Sequence, residues 1–500
     1  MNVMQGGLLP VLVLFTSLLA AAMIFIIPEH KAALRNTVNL AAAGLKLMLV
    51  MWMAVHVLAE TDYEFRFAIV TGLEFILRVD ALALMFVGLS SLLWLFTTIY
   101  AIGYLEGGPN RSRFFGFFSL CVASTVGIAL AGNLFTFLLF YEFLTLSTYP
   151  LVVHRGSAKA LHAGRVYLAY TMGGGILLLL GVAALHVLVG DVEFAAGAML
   201  PIADETLYPA LRVIFVLLIV GLGVKAALVP LHGWLPLAMV APAPVSALLH
   251  AVAVVKAGAF GIVRVIYDVY GITFAWQLGL LDPLALIAAF TIIYGSLRAL
   301  MQTDLKRRLA FSTVSQVSYI ILGIALFGPL GTIGALVHLI HQGLMKITLF
   351  FCAGNFAETV EASRIDQLDG IGRRMPATSA AFTVGALGMI GLPPIAGFIS
   401  KWYLGLGALD SNAGWALGVF VISGMLNAAY FLPLLYRIWF CERTGPWPET
   451  AFSRWRDTSP WLLWPALATA TMSIVAGLFA GMPFSPLDWA DVVVSREYLQ

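Results

Sequence analysis

One carboxylate, Glu142, lies deep inside an apolar run, AGNLFTFLLFYEFLTLSTYPLVV (131–153), whereas the other acids fall in loops, in the tail or at the ends of such runs. A charged side chain at the centre of a bilayer costs about 2.5–3.5 kcal/mol even on the gentlest scale, so an acid at this depth is a functional hypothesis by default. Its partner must be a buried cation or a path of water. Four lysines occupy other apolar runs: Lys225, Lys256, Lys346 and Lys401. One acid with several buried lysines is the pattern of a proton relay.

Glu142 and Lys225 are the first candidate pair. At ~4 Å and an effective dielectric near 20, opposite unit charges attract by ~4 kcal/mol. Burial opposes that attraction, because an apolar environment disfavours a charge that lacks a partner. A modest change in separation would therefore switch the lysine between holding and releasing its proton. A static structural ion pair is the alternative.

Helix breakers divide two of the apolar runs. GLGVKAALVPLHGWLPLAM (221–239) contains Pro230 and Pro236, and GMIGLPPIAGFISKWYLGL (388–406) contains Pro393 and Pro394. Proline removes an amide donor and clashes with the carbonyl four residues back, so the freed carbonyls must face protein, water or an ion. A single break is most often a plain kink. Two breaks at corresponding positions, each with a lysine nearby, indicate a repeat transporter whose sites lie at mid-membrane.

Further ionisable residues lie at depth in two other runs. His250 and Lys256 share the eighth run, in which Arg264 lies near the end and is expected to snorkel to the interface. The eleventh run contains HLIHQGLMK (338–346), in which one helical face carries the polar residues His338, His341, Gln342 and Lys346. No converging carboxylate or thiolate accompanies the histidines, so a hydrated proton path is favoured over a metal site. Lys46, in the second run, is assigned no role and is expected to face lipid head groups or a neighbouring subunit.

Composition defines the elements that must position these residues. The chain is 61% hydrophobic and 11% charged, which excludes a soluble domain and predicts an all-α polytopic membrane protein. Fourteen spans are expected, with the seventh and the twelfth broken: 8–27, 37–59, 81–102, 114–131, 133–153, 163–189, 211–240, 243–267, 281–300, 309–327, 330–354, 377–408, 413–440 and 459–482. Glu60–Asp80 is expected to be a polar loop and Pro483–Gln500 a short tail.

The placement of charge and cysteine limits partners and cofactors. Most of the 28 lysines and arginines follow odd-numbered spans, which predicts those loops inside and both termini on the outer, periplasmic side of a bacterial-type plasma membrane. The cations are spread along the membrane edge, so no nucleic-acid partner is indicated. The three cysteines show no metal-binding spacing, and no cofactor or metal is expected. Any electron transfer would belong to another subunit.

These segments together resemble the antiporter-like subunits of respiratory complex I, membrane-bound hydrogenases and multi-subunit Mrp-type Na⁺/H⁺ antiporters. The matching stretches are 137–152, 225–264, 302–320, 338–354 and 391–401. The resemblance implies N-terminal helices (1–110), two inverted five-helix repeats (111–267 and 268–440) and a last helix with its tail (441–500). It also implies roles: Glu142 and Lys225 as the first-half pair, Lys256 as the bridging lysine and Lys401 as the terminal group.

The stretch GLPPIAGFISKWYLGLGAL (391–409) is most similar to the D subunit of Mrp antiporters. That resemblance implies exchange of protons for Na⁺ or another monovalent cation, with other membrane subunits as partners and no enzyme activity of the chain alone. A proton-pumping subunit of complex I or of a hydrogenase-type complex is the second interpretation. The third is a membrane subunit of an inorganic-carbon uptake complex.

Overall fold

A computed structural model describes residues 7–58, 63–70, 72–195, 200, 204–448 and 457–498. Within them, thirteen helices are long and apolar enough to cross a membrane. The chain is an all-α polytopic membrane protein, as its composition predicts. Most predicted spans agree with the observed helices to within a few residues.

The first half of the chain contains eight spans. The unbroken ones are α1 (Leu8–Ile26), α2 (Ala32–Leu58), α3 (Ala81–Tyr104), α4 (Arg111–Leu130), α5 (Leu134–Val152) and α6 (Ala158–Val189). The next two spans are interrupted: α7 (Tyr208–Ala226) is followed by the short α8 (Trp234–Leu237), and α9 (Ala243–Ala251) by α10 (Val254–Arg264). A π-helical stretch, Val265–Tyr270, extends α10.

The second half has a similar alternation of helices and connections. After the short α11 (Ile272–Gln277), the long helices are α12 (Leu281–Leu300), α13 (Leu305–Ala325) and α14 (Pro329–Val360). The remaining helices are α15 (Ile371–Arg374), α16 (Pro376–Ile390), α17 (Ala396–Asp410), α18 (Gly414–Phe440), α19 (Pro460–Leu478) and α20 (Pro486–Tyr498). Together α16 and α17 make the broken twelfth span, and they are too short to be among the thirteen long helices.

Three segments form the centre of the molecule. The apolar windows of Ala243–Tyr270, α13 and α14 are 100% buried, whereas those of α1, α2, α6, α18 and α19 are 33–39% buried. A helix that is enclosed on every side can carry polar residues without exposing them to lipid. The central segments contain five of the eight predicted relay residues: His250, Lys256, His338, His341 and Lys346.

Two parts of the chain differ from the predicted loop and tail. The segment predicted as a polar loop contains an antiparallel hairpin of β1 (Tyr63–Val70) and β2 (Leu73–Val79). The apolar and β-branched residues at alternating positions in it are typical of strands, and the charged residues of the segment hid that pattern. The predicted tail contains α20, which packs on α3 and α14. The indole of its Trp489 donates a hydrogen bond to the Ala81 carbonyl at 2.7 Å.

An ion cluster joins the hairpin to the loop that follows α6. Glu193 receives hydrogen bonds from Arg66 at 2.7 and 2.8 Å and from Arg78 at 2.5 Å. Glu64 is bonded to the same two arginines. The hydrogen bonds from Arg66, and then those from Arg78, lower the pKa of Glu193 despite its partial burial.

Acidification is expected to loosen the hairpin. Because the native pKa of Glu193 is lowered, its contribution is complete at neutral pH and is lost as pH falls below the ordinary value of 4.5 and through the native one. Hydrogen exchange of the Tyr63–Val70 amides, corrected for intrinsic rates, should therefore show weaker protection at pH 4 than at pH 7. In Glu193→Gln the protection should depend less on pH. Equal protection of the unmodified hairpin at both values would contradict this assignment.

Candidate proton-transfer site

The break between α16 and α17 binds Lys401. The first helix ends at Ile390, and Gly391 adopts a φ of +101°, a conformation that favours glycine. Pro393 and Pro394 lie in the non-helical connection before Ala396. The Lys401 ammonium donates hydrogen bonds to the Met389 and Ile390 carbonyls, at 2.7 and 3.0 Å. The break therefore supplies the polar partners that an otherwise apolar span lacks.

The break after α7 also has its carbonyls occupied by side chains. The Tyr141 hydroxyl donates to the Gly221 carbonyl at 3.0 Å, and the Trp234 indole donates to the Val224 carbonyl at 2.8 Å. Pro230 lies in the non-helical turn between Ala226 and Trp234. Pro236 instead lies within the short helix α8, where a proline in the first turn is tolerated.

Lys225 and Glu142 do not form the predicted ion pair. Lys225 is fully buried and donates a hydrogen bond to the Tyr141 carbonyl, and its ammonium lies 3.3 Å from the centre of the Tyr141 ring. No salt bridge within 4.0 Å joins it to Glu142 among the described residues. In this conformation the two charged groups are therefore farther apart than the ~4 Å at which their attraction would be strong. A backbone carbonyl and an aromatic face satisfy the cation in its place.

Glu142 projects from the neighbouring position of α5 towards α6. Both carboxylate oxygens are buried and accept no hydrogen bond from the described residues. A Cβ added at Gly175 would lie 2.1 Å from Glu142 Oε1. The glycine run TMGGGI thus leaves room for the acid, in addition to allowing Gly174 to approach Gly221 closely. Close packing of α6 on α7 therefore explains only part of this glycine run.

Gly175→Ala is expected to displace Glu142, because the new methyl group and the carboxylate oxygen cannot occupy the same space. We expect transport to fall about tenfold or more, equivalent to a barrier change of at least about 1.4 kcal/mol. Gly173→Ala is the matched control, because a Cβ there has nothing within 4 Å. Proton transport in inverted vesicles, normalised to the amount of this chain, measures both variants. Equal transport by the two would exclude a positional role for Gly175.

His250 and Lys256 lie on either side of an unpredicted interruption. Between α9 and α10, Val252 and Ala253 leave helical geometry, and their amides both bond to the Leu248 carbonyl. The side chains of His250 and Lys256 are fully buried, and neither makes a hydrogen bond within the described chain. The His250 ring stacks on Phe350 at 4.6 Å.

The polar residues of 338–346 on α14 are all buried but have different partners. His338 Nδ1 is 2.9 Å from the Ser400 hydroxyl, next in sequence to Lys401. Lys346 donates to the Ser312 hydroxyl at 2.5 Å and to the Leu309 carbonyl at 3.2 Å. The side chains of His341 and Gln342 make no hydrogen bond within the described chain. The structure thus brings His338 to the Lys401 helix and anchors Lys346 on α13.

Tyr319 links two of these groups. Its ring stacks on that of His338 at 5.3 Å, and the Lys401 ammonium lies 5.3 Å from the ring centre. Sequence reasoning did not select Tyr319, because a tyrosine in a membrane helix is common and its contacts depend on three helices that are distant in sequence. His338 and Tyr319, both buried, and the partly buried Lys401 form one cluster at the second break.

Comparison with known proteins identifies the family. A family profile described as "NADH:quinone oxidoreductase/Mrp antiporter, TM" matches residues 131–427. The chain belongs to this family. The matched region includes all eight predicted relay residues. A second profile, described as "NADH-Ubiquinone oxidoreductase (complex I), chain 5 N-terminus", matches residues 69–115.

Individual members of the family differ in the complexes to which they belong. The chain is 37% identical over 373 residues to NADH-quinone oxidoreductase subunit N of Desulforudis audaxviator (strain MP104C), covering 73% of this chain and 72% of that protein. It is 30% identical over 434 residues to the A/B subunit of a probable K(+)/H(+) antiporter of Rhizobium meliloti (strain 1021), covering 85% and 42% respectively. A chain in the structure of the Mrp complex from Dietzia sp. DQ12-45-1b has a TM-score of 0.87, with 24% identity and coverage of 100% and 98%. At that identity the structural likeness supports the fold alone.

Arg264 does not reach the interface in this family member. It is 1% exposed and forms salt bridges with Asp80 at 2.8 Å and Asp268 at 2.9 Å. Two carboxylates at hydrogen-bonding distance stabilise it inside, which the snorkelling prediction did not consider. The spacing of Arg264 and Asp268, four residues apart on a helix, is the signal that could have found one of the pairs.

A polar cavity of about 650 Å³ borders the salt bridges of Arg264 with Asp80 and Asp268. Its lining includes Arg78 of the hairpin, Asp80 and Asp268, and Arg496 of α20. The segments predicted as a loop and a tail thus enclose polar space at one face of the membrane domain. The cavity reaches the π-helical end of the segment that carries Lys256.

Lys46 is also buried, contrary to the prediction that it faces lipid head groups or another subunit. It is fully buried, donates a hydrogen bond to the Ser17 hydroxyl at 2.6 Å, and lies 4.6 Å from the centre of the Trp94 ring. A hydroxyl and an aromatic face take the place of the expected head group. Lys46 lies outside the region matched by the family profiles.

Proposed function

We propose that this chain is the D-type proton-translocating component of a multi-subunit Mrp-type antiporter, exchanging protons for Na⁺ or another monovalent cation. The observation that carries the proposal is the anchoring of Lys401 on the carbonyls of a broken helix, with further buried amines and imidazoles on the enclosed central helices. Unsatisfied ionisable groups are costly in a membrane interior, so their repeated presence on central helices needs a functional reason.

The geometry suggests how a proton would be handled in the first half. Lys225 is bonded to the Tyr141 carbonyl, one residue from Glu142, and a movement of the amine towards α6 would exchange the carbonyl for the carboxylate. Contact with the carboxylate favours the protonated amine, and withdrawal from it favours release. The carboxylate oxygens have no competing donor among the described residues. We propose that this exchange of partners is the first-half step of the relay, with Lys256 as the bridging group.

In the second half, Lys346 and Lys401 would hold the proton on carbonyl and hydroxyl partners, without a carboxylate. His338 is on the same helix as Lys346 and contacts Ser400, next to Lys401. It would hold or pass a proton, because imidazole has both a donor and an acceptor nitrogen when neutral. We place the protein in the plasma membrane with both termini outside, on the basis of the loop cations. Under this orientation the 650 Å³ cavity opens to the outer side.

A proton-pumping subunit of a complex I-type assembly is the second candidate. The 37% identity to a protein named NADH-quinone oxidoreductase subunit N supports it, since that relative is covered over 72% of its length. The same relay would then be driven by electron transfer in other subunits. The antiporter assignment is supported by the resemblance of residues 391–409 to the D subunit of Mrp antiporters.

One experiment distinguishes the candidates. The intact complex is purified through a tag on this chain, its subunits are identified by mass spectrometry, and it is reconstituted into vesicles. Small antiporter subunits and a pH change on addition of Na⁺ or K⁺ are expected. Quinone-reducing or hydrogenase subunits, with proton movement that requires a reductant, would support the second candidate. Absence of proton movement under both conditions would contradict translocation.

A further inference from the structure

Side chains on two helices connect Lys346 to Lys401 in one chain of hydrogen bonds. Lys346 donates to Ser312 at 2.5 Å, and the Tyr430 hydroxyl approaches the same Ser312 oxygen at 3.1 Å. Tyr430 also approaches Asn427 Oδ1 at 2.5 Å. The Asn427 amide donates to the Met389 carbonyl at 3.2 Å, which is one of the two carbonyls that bind Lys401. Ser312 is on α13, and the other two residues are on α18.

The Tyr430 hydroxyl is the branching point of this chain. It has one proton and two neighbouring acceptors, so it donates to Ser312 or to Asn427 but not to both at the same moment. Tyr430, Asn427, Ser312 and Lys346 are all buried, so competition from bulk water is small. The choice of acceptor depends on the orientation of the Ser312 hydroxyl, and that orientation depends on whether Lys346 donates to it.

We propose that Tyr430 and Asn427 are positioning residues that couple the protonation of Lys346 to the placement of Lys401. This inference rests on the proposed function. When Lys346 is charged it donates to Ser312, and Tyr430 bonds to Asn427, which orients the amide on the Met389 carbonyl. When Lys346 is neutral its nitrogen can accept from Ser312, and the Tyr430 proton turns to the serine oxygen. Asn427 then loses its partner, and the carbonyl cradle of Lys401 relaxes.

The connection transmits geometry and does not conduct a proton. A carboxamide nitrogen donates hydrogen bonds but does not release a proton in the physiological range, so Asn427 interrupts any proton wire along this route. The proton itself must travel by the histidines or by water. The role of Tyr430 and Asn427 is therefore distinct from that of the ionisable residues.

Tyr430→Phe in the intact complex tests the coupling, because it removes the hydroxyl and retains the ring. The Tyr430 backbone carbonyl, which accepts from Arg308 at 3.0 Å, is unaffected. We expect transport to fall about tenfold, as for the loss of one buried hydrogen bond in the rate-determining step, and the midpoint of its pH profile to shift. Tyr436→Phe is the matched control on the same helix, because Tyr436 is 61% exposed and should change neither quantity.

The outcomes separate this inference from the proposed function. An unchanged rate and profile in Tyr430→Phe, with transport lost in Lys401→Ala, would overturn the coupling alone. A lower rate with an unshifted pH profile would also overturn it, because a packing role suffices to explain that result. Normal transport in Lys401→Ala would overturn the proposed function itself. If Tyr430→Phe fails to assemble, Ser312→Ala tests the same link from the other side and should shift the profile in the same way.

Discussion

Replacing Glu142 or Lys225 by alanine is expected to abolish ion exchange while the complex stays assembled. The ionisable atoms of both residues are buried, and Lys225 is bonded to the carbonyl of Tyr141, the residue before Glu142. Without the carboxylate the Lys225 amine has no anionic partner to move to, and without the amine the carboxylate has no proton donor nearby. We expect transport to fall by at least about a hundredfold, equivalent to a barrier increase of about 3 kcal/mol. Dye-quenching measurements in inverted vesicles would record the loss.

Exposed residues of the same types provide the controls. Lys159, at the start of α6, and Glu106, in the loop after α3, are both exposed. Lys159→Ala and Glu106→Ala should leave transport within about twofold of normal, because surface substitutions away from special features change energies little. Assembly is followed in every variant by co-purification of the other subunits. Near-normal exchange in both Glu142→Ala and Lys225→Ala would remove the central claim of a first-half pair.

The breaks in the seventh and twelfth spans could be predicted because proline and glycine mark them in the sequence. Pro230, Pro393 and Pro394 each lie in a non-helical connection. The interruption at Val252–Ala253 could not be predicted in this way, since neither residue is a helix breaker. Its position is determined by packing inside the molecule, where the surrounding helices enclose the segment completely.

The hydrogen-bond partners of the buried lysines were harder to predict from the sequence than the depth of these lysines in the helices. The depth of each ionisable residue follows from hydrophobic runs in the sequence, and the burial of Lys225, Lys256 and Lys346 agrees with it. The contacts of these residues depend on helices more than thirty positions away. Lys225 bonds to a backbone carbonyl on α5, and Lys346 to a serine on α13. A backbone carbonyl or a serine far away in the sequence cannot be recognised as the partner of a lysine, because such groups are common. A single acid in an apolar run can be recognised. For that reason an ion pair with Glu142 was expected for Lys225.

The division of the chain into two inverted five-helix repeats stays a prediction. The two halves differ in how their broken helices hold a lysine. Lys225 precedes its break and bonds to another helix, whereas Lys401 follows its break and bonds back to the last turn before it. The same element, a helix interrupted at mid-membrane, thus presents its lysine in two ways. The two halves would therefore bind a proton with different partners, although the loss of either lysine is expected to stop transport.

Lys401→Ala is expected to stop transport completely. The ammonium is the group that occupies the Met389 and Ile390 carbonyls at the second break, and the end of the relay has no other amine on α16 or α17. Alanine removes the ammonium from both carbonyls, of which only that of Met389 keeps a side-chain donor, Asn427, and it removes the site at which the proton would wait. The expected fall is again at least about a hundredfold, or about 3 kcal/mol, measured as for the first-half variants.

Two further substitutions separate charge from proton release at this position. Lys401→Arg keeps a cation beside the carbonyls, but a guanidinium does not release its proton in a protein, so transport should stop as in the alanine variant. Lys401→Glu supplies a group that can gain and lose a proton, and it should retain part of the activity. Full activity in Lys401→Arg would show that a fixed positive charge suffices at the break. Normal transport in Lys401→Ala would place the end of the relay elsewhere, with His338 as the remaining imidazole in the cluster.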